Sequence, residues 1–437
     1  MTKRLFVETY GCQMNEADTE LIAGLMRKRG YGLAESAQEA DIVLLNTCAV
    51  RDKAEQRIFG RLGWLKTLKK EKPDLVLGVA GCMAERMRSD IHEKAPFVDL
   101  VIGPDAYRRL PDMIDSAFAD EDSDFQVDVR LDKRETYSNV QIDRVPGVSG
   151  WISVQRGCDK FCTFCIVPFV RGRERSLSPE EIVQQADEMS REGFKEVTLL
   201  GQTVSSYYEK GYDFADLLRQ VHAVNGIQRI RYTSPYPNDF SDRLLDTLAE
   251  LPKVAEHIHL PVQSGSTRLL KDMRRGSSAE RFMDLIGRVR AKLPNHSLST
   301  DVIVGYPGET DDDFEATLDL MRQVQFDSAF MFIYSEREGT LAARKKPDDI
   351  PIEVKKSRLK RLIELQEGIS KVRYQAQIGR DVRVLVQGPS RRNEAQLIGR
   401  TSDFKTTILP GDAGQPGEFV DVKIVGATSH TLFGEVA

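Results

Sequence analysis

The chain has 437 residues, with 62 Lys and Arg against 67 Asp and Glu, for a net charge of −5. That length calls for two or three domains, and that charge excludes a global positive field toward nucleic acid, so any basic patch must be local. No apolar stretch reaches the roughly 18–20 residues that a bilayer span needs.

The first apolar run is too short and too polar for a signal segment. The expected location is therefore cytoplasmic, without membrane contact. There thiols stay reduced, and the six cysteines read as ligands or catalysts in preference to a disulfide framework.

In chain order, RLFVETY predicts a strand, and NEADTELIAGLMRKRG an amphipathic helix with Asn15 as N-cap and Gly30 as its stop. DIVLLNT is a buried strand, the span 51–70 a long helix, DLVLGVAG a third strand, 83–95 a third helix and VDLVIG a fourth strand. Continuous apolar strands separated by helices argue an open parallel sheet covered on both faces. Residues 1–120 are taken as this domain and the acidic, irregular stretch over 121–145 as a linker.

Residues 146–370 restart the βα pattern. WISVQRG, EVTLLGQ, IRYTS, HIHLPVQ, LSTDVIVG and DSAFMFIY are its strands. Six strands fall short of the eight of a full (β/α)8 barrel, so a partial (β/α)6 barrel is expected. A long charged helix over 352–377 carries the chain out. Residues 371–437 then hold five short strands punctuated by Gly, Pro, Asn and Asp, the pattern of a small antiparallel OB-like β-barrel.

The cysteines form two sets of three. Cys158, Cys162 and Cys165 share the loop GCDKFCTFC after the first barrel strand. Three thiolates cannot complete a tetrahedral structural zinc site without a fourth ligand. They can hold three corners of a cubane iron–sulfur cluster and leave the fourth iron open. The competing reading is a zinc loop with a remote ligand, but no His lies near in sequence. Cys12, Cys48 and Cys82 each follow a strand of the first domain, beside Gly11, Thr47 and Gly81. Ligands on open α/β sheets gather beyond the carboxyl ends of the strands, so these three should converge on one edge. The bland alternative is three small buried hydrophobes. Two open clusters would make the chain a redox enzyme.

Small and polar residues recur at the barrel strand ends: Gly201, Gln202 and Thr203; Gln263, Ser264, Gly265 and Ser266; and Gly305 in VGYPGET. Singly, each such piece is more often a turn. Together they leave room for a ligand and offer backbone amides. Arg171, Arg173 and Arg175 in RGRERS suit a carboxylate or phosphates, or equally a solvated salt-bridge segment. Lys355, Lys356, Arg358, Lys360 and Arg361 read first as a solvated helix face and second as an RNA backbone contact. In the last segment Arg391, Arg392, Arg400, Phe404 and Lys405 suit phosphate contact and base stacking, against a barrel that only packs on the rest of the chain. No residue declares itself as a general base.

The C-x3-C-x2-C spacing, with Phe164 before its last cysteine, resembles the radical S-adenosylmethionine (SAM) superfamily. ETYGCQMNEADTE, LLNTCAVRDKA, GVAGCMAER, GCDKFCTFCIVPFVRGRERS, LLGQTVSSY, HLPVQSGS and DVIVGYPGET extend the resemblance over nearly the whole chain to its methylthiotransferase family, most closely the MiaB type. That resemblance implies a radical SAM core and a C-terminal TRAM domain. It implies two 4Fe-4S clusters, one on Cys158, Cys162 and Cys165 that binds SAM and an auxiliary one on Cys12, Cys48 and Cys82. SAM serves as both radical source and methyl donor. The implied reaction methylthiolates carbon 2 of isopentenyladenosine beside the anticodon, on an anticodon stem-loop held by the TRAM barrel and basic helix. The candidate SAM contacts are Phe164, Gly201, Gln202, Thr203, Gln263, Ser264, Gly265 and Gly305; Thr203 stands where many relatives have Asn. Further expected partners are a low-potential donor of flavodoxin or ferredoxin type and iron–sulfur assembly or carrier proteins, around a monomeric enzyme. The RimO type, acting on a ribosomal-protein aspartate, usually shows GCPKN and the threonylcarbamoyladenosine enzymes GCKVN, whereas this chain has GCQMN. An iron–sulfur scaffold or RNA-binding module without catalysis would leave the strand-end motifs without purpose.

Overall fold

The computed structural model describes residues 2–49, 52–119 and 125–436. Its first unit is a parallel sheet of six strands: β1 (Arg4–Tyr10), β2 (Gly32–Leu33), β3 (Ile42–Thr47), β4 (Val76–Gly81), β5 (Leu100–Ile102) and β6 (Gln126–Asp128), in the order β2-β1-β3-β4-β5-β6. Alternation along the inner strands splits the core in two. Val43, Leu45, Leu77 and Val79 pack beneath Ile58, Leu62 and Leu65 of helix α2 (Asp52–Glu71). Ile42, Leu44, Val76 and Ala80 pack on the other face with Leu21, Ile22 and Met26 of helix α1 (Gln13–Arg29). A parallel sheet covered on both faces requires these near-continuous apolar strands.

Three local expectations change. Helix α1 is N-capped by Cys12, and Asn15 is its third residue, with its side chain turned back to the Cys12 N–H. The helix expected over 83–95 is two, α3 (Cys82–Met87) and α4 (Asp90–Lys94), broken where Arg88 takes a φ of 52°. The stretch read as a linker contributes β6, paired in parallel with β5 from Leu100↔Gln126 to Ile102↔Asp128. Its acidic composition masked that strand. Asp128 is satisfied by Arg109 and Arg130, which hold its carboxyl at about 2 against the opposing effect of burial.

The barrel of the second unit has the expected six strands, beside two short two-stranded pairs. The six form two parallel three-stranded sheets: β7 (Ser149–Ser153), β8 (Glu196–Leu200) and β9 (Arg229–Tyr232), ordered β9-β8-β7, and β10 (His257–His259), β11 (Ser297–Val304) and β12 (Ser328–Ile333), ordered β10-β11-β12. A bridge from Ile230 to Val254 links the two halves into a partial barrel. Its largest buried cluster lies between the strands and the surrounding helices, and Leu362 of the long helix Ile352–Gln375 belongs to it.

The last unit is a closed barrel of β13 (Asp381–Ser390), β14 (Asn393–Thr401), β15 (Thr406–Pro410), β16 (Phe419–Ala427) and β17 (Leu432–Val436), ordered β13-β14-β15-β17-β16. Its loop after β14 closes the amino-terminal end of the partial barrel. Arg229 and Arg231 donate to the carbonyls of Arg400 (2.8 Å) and Thr401 (2.9 Å). Ser297 donates to the Asp403 carbonyl at 2.6 Å, and Phe404 stacks on His257 at 5.1 Å. The opposite, carboxyl end is left for the cysteine loop. No helix among the described residues is long and apolar enough to cross a membrane.

Candidate functional site

Sheet register gathers the first cysteine trio. Tyr10 lies opposite Thr47, and Thr47 opposite Gly81, so β1, β3 and β4 end level as adjacent strands. Neighbouring strands run about 5 Å apart. Cys12, Cys48 and Cys82, each one or two residues beyond those ends, are thereby brought to one edge. Asn15 and Asn46, both fully buried, fix that edge. The Asn15 amide donates to Asn46 Oδ1 at 3.1 Å and to the Thr47 carbonyl at 3.2 Å, while the Asn46 amide returns to the Asn15 carbonyl at 2.8 Å. Gly81 has a φ of 94°, and a Cβ there would meet the Thr47 backbone. Only glycine lets β4 turn into α3 at this point. Burial pushes the Cys82 thiol up to about 12, Arg171 opposes the rise, and the charges of Cys48 and Cys12 add to it.

The second trio is held by one loop. Gly157, with a φ of 77°, donates to Gln202 Oε1 at 2.6 Å. Gln155 takes the Thr203 N–H at 3.1 Å and gives its own amide to the Gly157 carbonyl at 2.8 Å. The Thr203 hydroxyl is hydrogen-bonded to Cys158 Sγ at 3.1 Å, and Arg275 Nη1 donates to Cys162 Sγ at 3.4 Å. Burial pushes Cys165 up to about 12, with Cys162 and Cys158 adding to the rise.

The trios face each other. Cys82 and Ala49 share a buried cluster with Ile166, which directly follows Cys165, and with Val170 one helical turn on. Met14 and Ala17 of α1 pack with Leu200 and Trp151 at the barrel rim.

No three Cys, His, Asp or Glu side chains among the described residues stand close enough to share one metal ion. Within each trio the cysteines are near enough to act on one another's charge, Cys48 and Cys12 on Cys82, and Cys162 and Cys158 on Cys165. Three sulfur donors and an arginine on a sulfur at each site fit a thiolate-held, anionic iron–sulfur cluster.

The other sequence candidates are placed as follows. Phe164 is half-buried against Leu269, Met273, Tyr306 and Tyr334. Gln263 is buried with a φ of 76° and its N–H on the Asp301 carbonyl at 2.8 Å. Ser264 and Gly265 lie against the helix Asp311–Val324, Gly265 donating to Thr317 Oγ1 at 2.9 Å, and a Cβ on Gly265 would strike the Ala316 backbone. Gly201 is pressed against Gln155 and Val204, and Gly305, with a φ of 73°, against the Lys355 stem. These contacts give each glycine a packing reason of its own.

The arginine and lysine runs resolve differently from their sequence readings. Arg171 and Arg175 are buried in ion pairs with Asp18 and Asp105, whereas Arg173 pairs with Asp159 at the surface. Lys355 and Arg358 are buried against Asp348 and Glu309, leaving Lys356, Lys360 and Arg361 exposed. Phe404 and Lys405 are committed to barrel packing, Lys405 reaching Asp327 at 3.1 Å. Sequence reasoning missed Asp18 and Arg275. Asp18 carries a weak signal, a carboxylate inside the apolar stripe of α1; Arg275 carries none.

Comparison with known proteins agrees with this layout. Residues 4–103 match the Uncharacterized protein family UPF0004, 152–321 the Radical SAM superfamily and 375–437 the TRAM domain. A tRNA-2-methylthio-N(6)-dimethylallyladenosine synthase of Chloroherpeton thalassium is 47% identical over 99% of this chain and 95% of its own length. One of Bacillus subtilis is 44% identical over 99% of this chain and 86% of its own. Among solved structures, the radical SAM methyltransferase TsrM of Kitasatospora setae, with cobalamin and a [4Fe-4S] cluster bound, aligns with TM-score 0.58 at 12% identity, covering 78% of this chain and 77% of its own. The cobalamin-dependent radical enzyme OxsB aligns with TM-score 0.55 at 16% identity over 84% of this chain and 56% of its own. At such identities these two likenesses concern the fold alone.

Proposed function

This chain belongs to the family of tRNA-2-methylthio-N(6)-dimethylallyladenosine synthases, radical SAM methylthiotransferases that act on tRNA with SAM and 4Fe-4S clusters as cofactors, and from that premise we propose how its parts divide the work. Cys158, Cys162 and Cys165 hold the cluster that binds SAM, and Cys12, Cys48 and Cys82 hold an auxiliary cluster. The substrate is isopentenyladenosine in an anticodon stem-loop, methylthiolated at carbon 2. When bound, the clusters and SAM supply the one-electron and radical chemistry that an unactivated C–H bond demands.

The chain's own residues position and shield. Gln155, Gln202 and Thr203 fix the cysteine loop through the bonds at Gly157 and Cys158. Asn15 and Asn46 fix the opposing edge. The target base is turned out of its stack to lie between the two trios, where proximity replaces a bimolecular encounter. Lys356, Lys360 and Arg361, exposed on the long helix, and Arg391 and Arg392 on the small barrel contact the RNA backbone. Phe164 and the strand-end residues Gly201, Gln263, Ser264, Gly265 and Gly305 shape the SAM site through the backbone. Electrons come from a flavodoxin- or ferredoxin-type donor in the cytoplasm, and carrier proteins deliver the clusters.

The observation that supports this reading is the buried cluster joining Cys82 and Ala49 of the first unit to Ile166 and Val170, which lie just after the second trio in the chain. The test is an anaerobic assay of reconstituted protein with SAM, reductant and isopentenyladenosine-bearing stem-loop RNA, read by nucleoside mass spectrometry. A 2-methylthio nucleoside is expected. SAM cleavage without an RNA product would overturn the substrate assignment.

A further inference from the structure

Arg171 lies on the barrel unit, yet its guanidinium sits in the N-terminal unit's cysteine edge. Nε donates to Cys82 Sγ at 3.0 Å, Nη2 lies 2.8 Å from Asp18 Oδ2, and the side chain is 4% exposed. Asp18, fully buried in α1, also takes Arg156 Nη2 at 2.8 Å. Arg175 buttresses the arrangement by donating to the Arg171 carbonyl at 2.9 Å while pairing with Asp105.

The charges do not cancel. Arg175 and Asp105 neutralise each other, but Arg156 and Arg171 share the single carboxylate of Asp18. One positive charge is left over on side chains closed to solvent. Both Nη1 and Nη2 of Arg171, both Nε and Nη1 of Arg156, and Asp18 Oδ2 are buried without a hydrogen-bond partner, so Arg171 and Asp18 meet as an ion pair only. A buried, uncompensated charge is strongly destabilising, and the group nearest this one is the Cys82 sulfur. The surplus therefore calls for an anion at the cysteine edge, and thiolates in a cluster are that anion.

We propose that Arg171 is a positioning residue of the N-terminal cysteine site, delivered from the barrel unit, which compensates the thiolate charge through its bond to Cys82 and raises the reduction potential of the cluster held there. The inference rests on the reading that Cys12, Cys48 and Cys82 hold an iron–sulfur cluster. Hydrogen bonds to ligand sulfurs and local charge are two of the levers by which a protein sets such a potential. A cation beside the sulfur favours the more negative, reduced state. Because Arg171 follows the second cysteine loop by six residues, docking of the two units would complete the first site electrostatically.

The test uses the full chain with Cys158, Cys162 and Cys165 replaced by Ala, reconstituted with iron and sulfide. Iron content and the dithionite-poised midpoint potential by electron paramagnetic resonance are the readouts. Arg171→Gln should shift the potential to more negative values. Arg171→Lys, which keeps the charge, should return it most of the way to that of the parent. Asp18→Asn removes the competing carboxylate and should shift it to more positive values. Opposite signs for the Arg171→Gln and Asp18→Asn variants separate an electrostatic role from loosening of the interface, which would move both alike. An unchanged potential in Arg171→Gln, or the same sign in both, overturns the proposal. If Arg171→Gln retains no cluster, Asp18→Asn decides against the parent and Arg171→Lys: a positive shift in Asp18→Asn with Arg171→Lys near the parent supports the proposal, and an absent or negative shift in Asp18→Asn overturns it. A parent that binds no iron overturns the reading of the trio and the inference together, which distinguishes that failure from an absent shift.

Discussion

The two cysteine trios reach similar surroundings by different routes. Cys158, Cys162 and Cys165 lie within one loop, whose shape is set by hydrogen bonds from Gln155, Gln202 and Thr203. Cys12, Cys48 and Cys82 span seventy residues and meet because β1, β3 and β4 end level in one sheet. The loop leans on the end of the neighbouring barrel strand through Gln202 and Thr203, whereas the sheet edge needs the whole α/β unit to be folded. In both, an arginine from elsewhere in the chain reaches a cysteine sulfur, Arg275 on Cys162 and Arg171 on Cys82. Damage to the first site should therefore stay local, and damage to the second should be felt in the stability of the N-terminal unit.

The largest expected effect separates the trios by task. Ala at Cys158, Cys162 or Cys165 should abolish both SAM cleavage and the methylthio product. Ala at Cys12, Cys48 or Cys82 should abolish the product while 5′-deoxyadenosine still accumulates. Chromatographic quantitation of the two products from the same reaction checks this, and loss of cleavage in the second set would break the division.

The N-terminal unit should also show a pH dependence that the loop does not share. Glu85 on α3 is 1% exposed, both of its oxygens lack a hydrogen-bond partner, and Arg88 stands 3.6 Å away. Burial pushes its carboxyl from 4.5 to about 8. The folded state thus holds a proton that the unfolded chain releases near 4.5. The associated stability is fully present below about 4.5 and is lost as pH rises through about 8. Glu85→Gln should flatten the stability profile across that window, as read from urea midpoints at successive pH values; an unchanged slope would assign it to other groups. Beside the loop, by contrast, Asp159 is paired with Arg173 and held below its ordinary value.

Asn15→Ala comes next in size. It strips partners from Asn46 Oδ1, the Thr47 carbonyl and the Cys12 N–H at a fully buried position, and an unsatisfied buried group costs about 1–3 kcal/mol. Denaturation should show that loss. Iron bound by the N-terminal trio should fall with it, while iron bound by the loop trio is retained.

Much of this was legible in the sequence because its signals are local. Apolar runs placed the strands, the cysteine spacing placed the loop site, and the position of each remaining cysteine after a strand placed the edge site. What escaped depends on distant partners. Asn15 reads as a helix cap from its neighbours, but its carbonyl-seeking amide answers to Asn46 and Thr47, thirty residues away. Lys355 and Arg358 read as a solvated face, because Asp348 and Glu309 become their partners only after the barrel closes. Phe404 reads as a base-stacking residue until the small barrel meets His257. Strand β6 was hidden by the acidic run around it, and its Asp128 is paired partly by Arg109, from another segment.

Gln202→Ala should have the smallest effect, and it bears most directly on the comparison. Its carbonyl takes the Gly157 N–H at 2.6 Å, beside the turn that opens the cysteine loop. Gln202 is half-buried, so water can replace it, and the cost in global stability should be about 1 kcal/mol. The local cost is sharper, because Gly157 sits at a φ of 77° and this bond helps to fix its orientation. Iron retained by the loop trio should fall in a chain lacking Cys12, Cys48 and Cys82, while iron at the N-terminal trio in the reciprocal background should not change. Equal losses at both sites would mean that the loop is not held locally after all, and that the two trios share one cooperative unit.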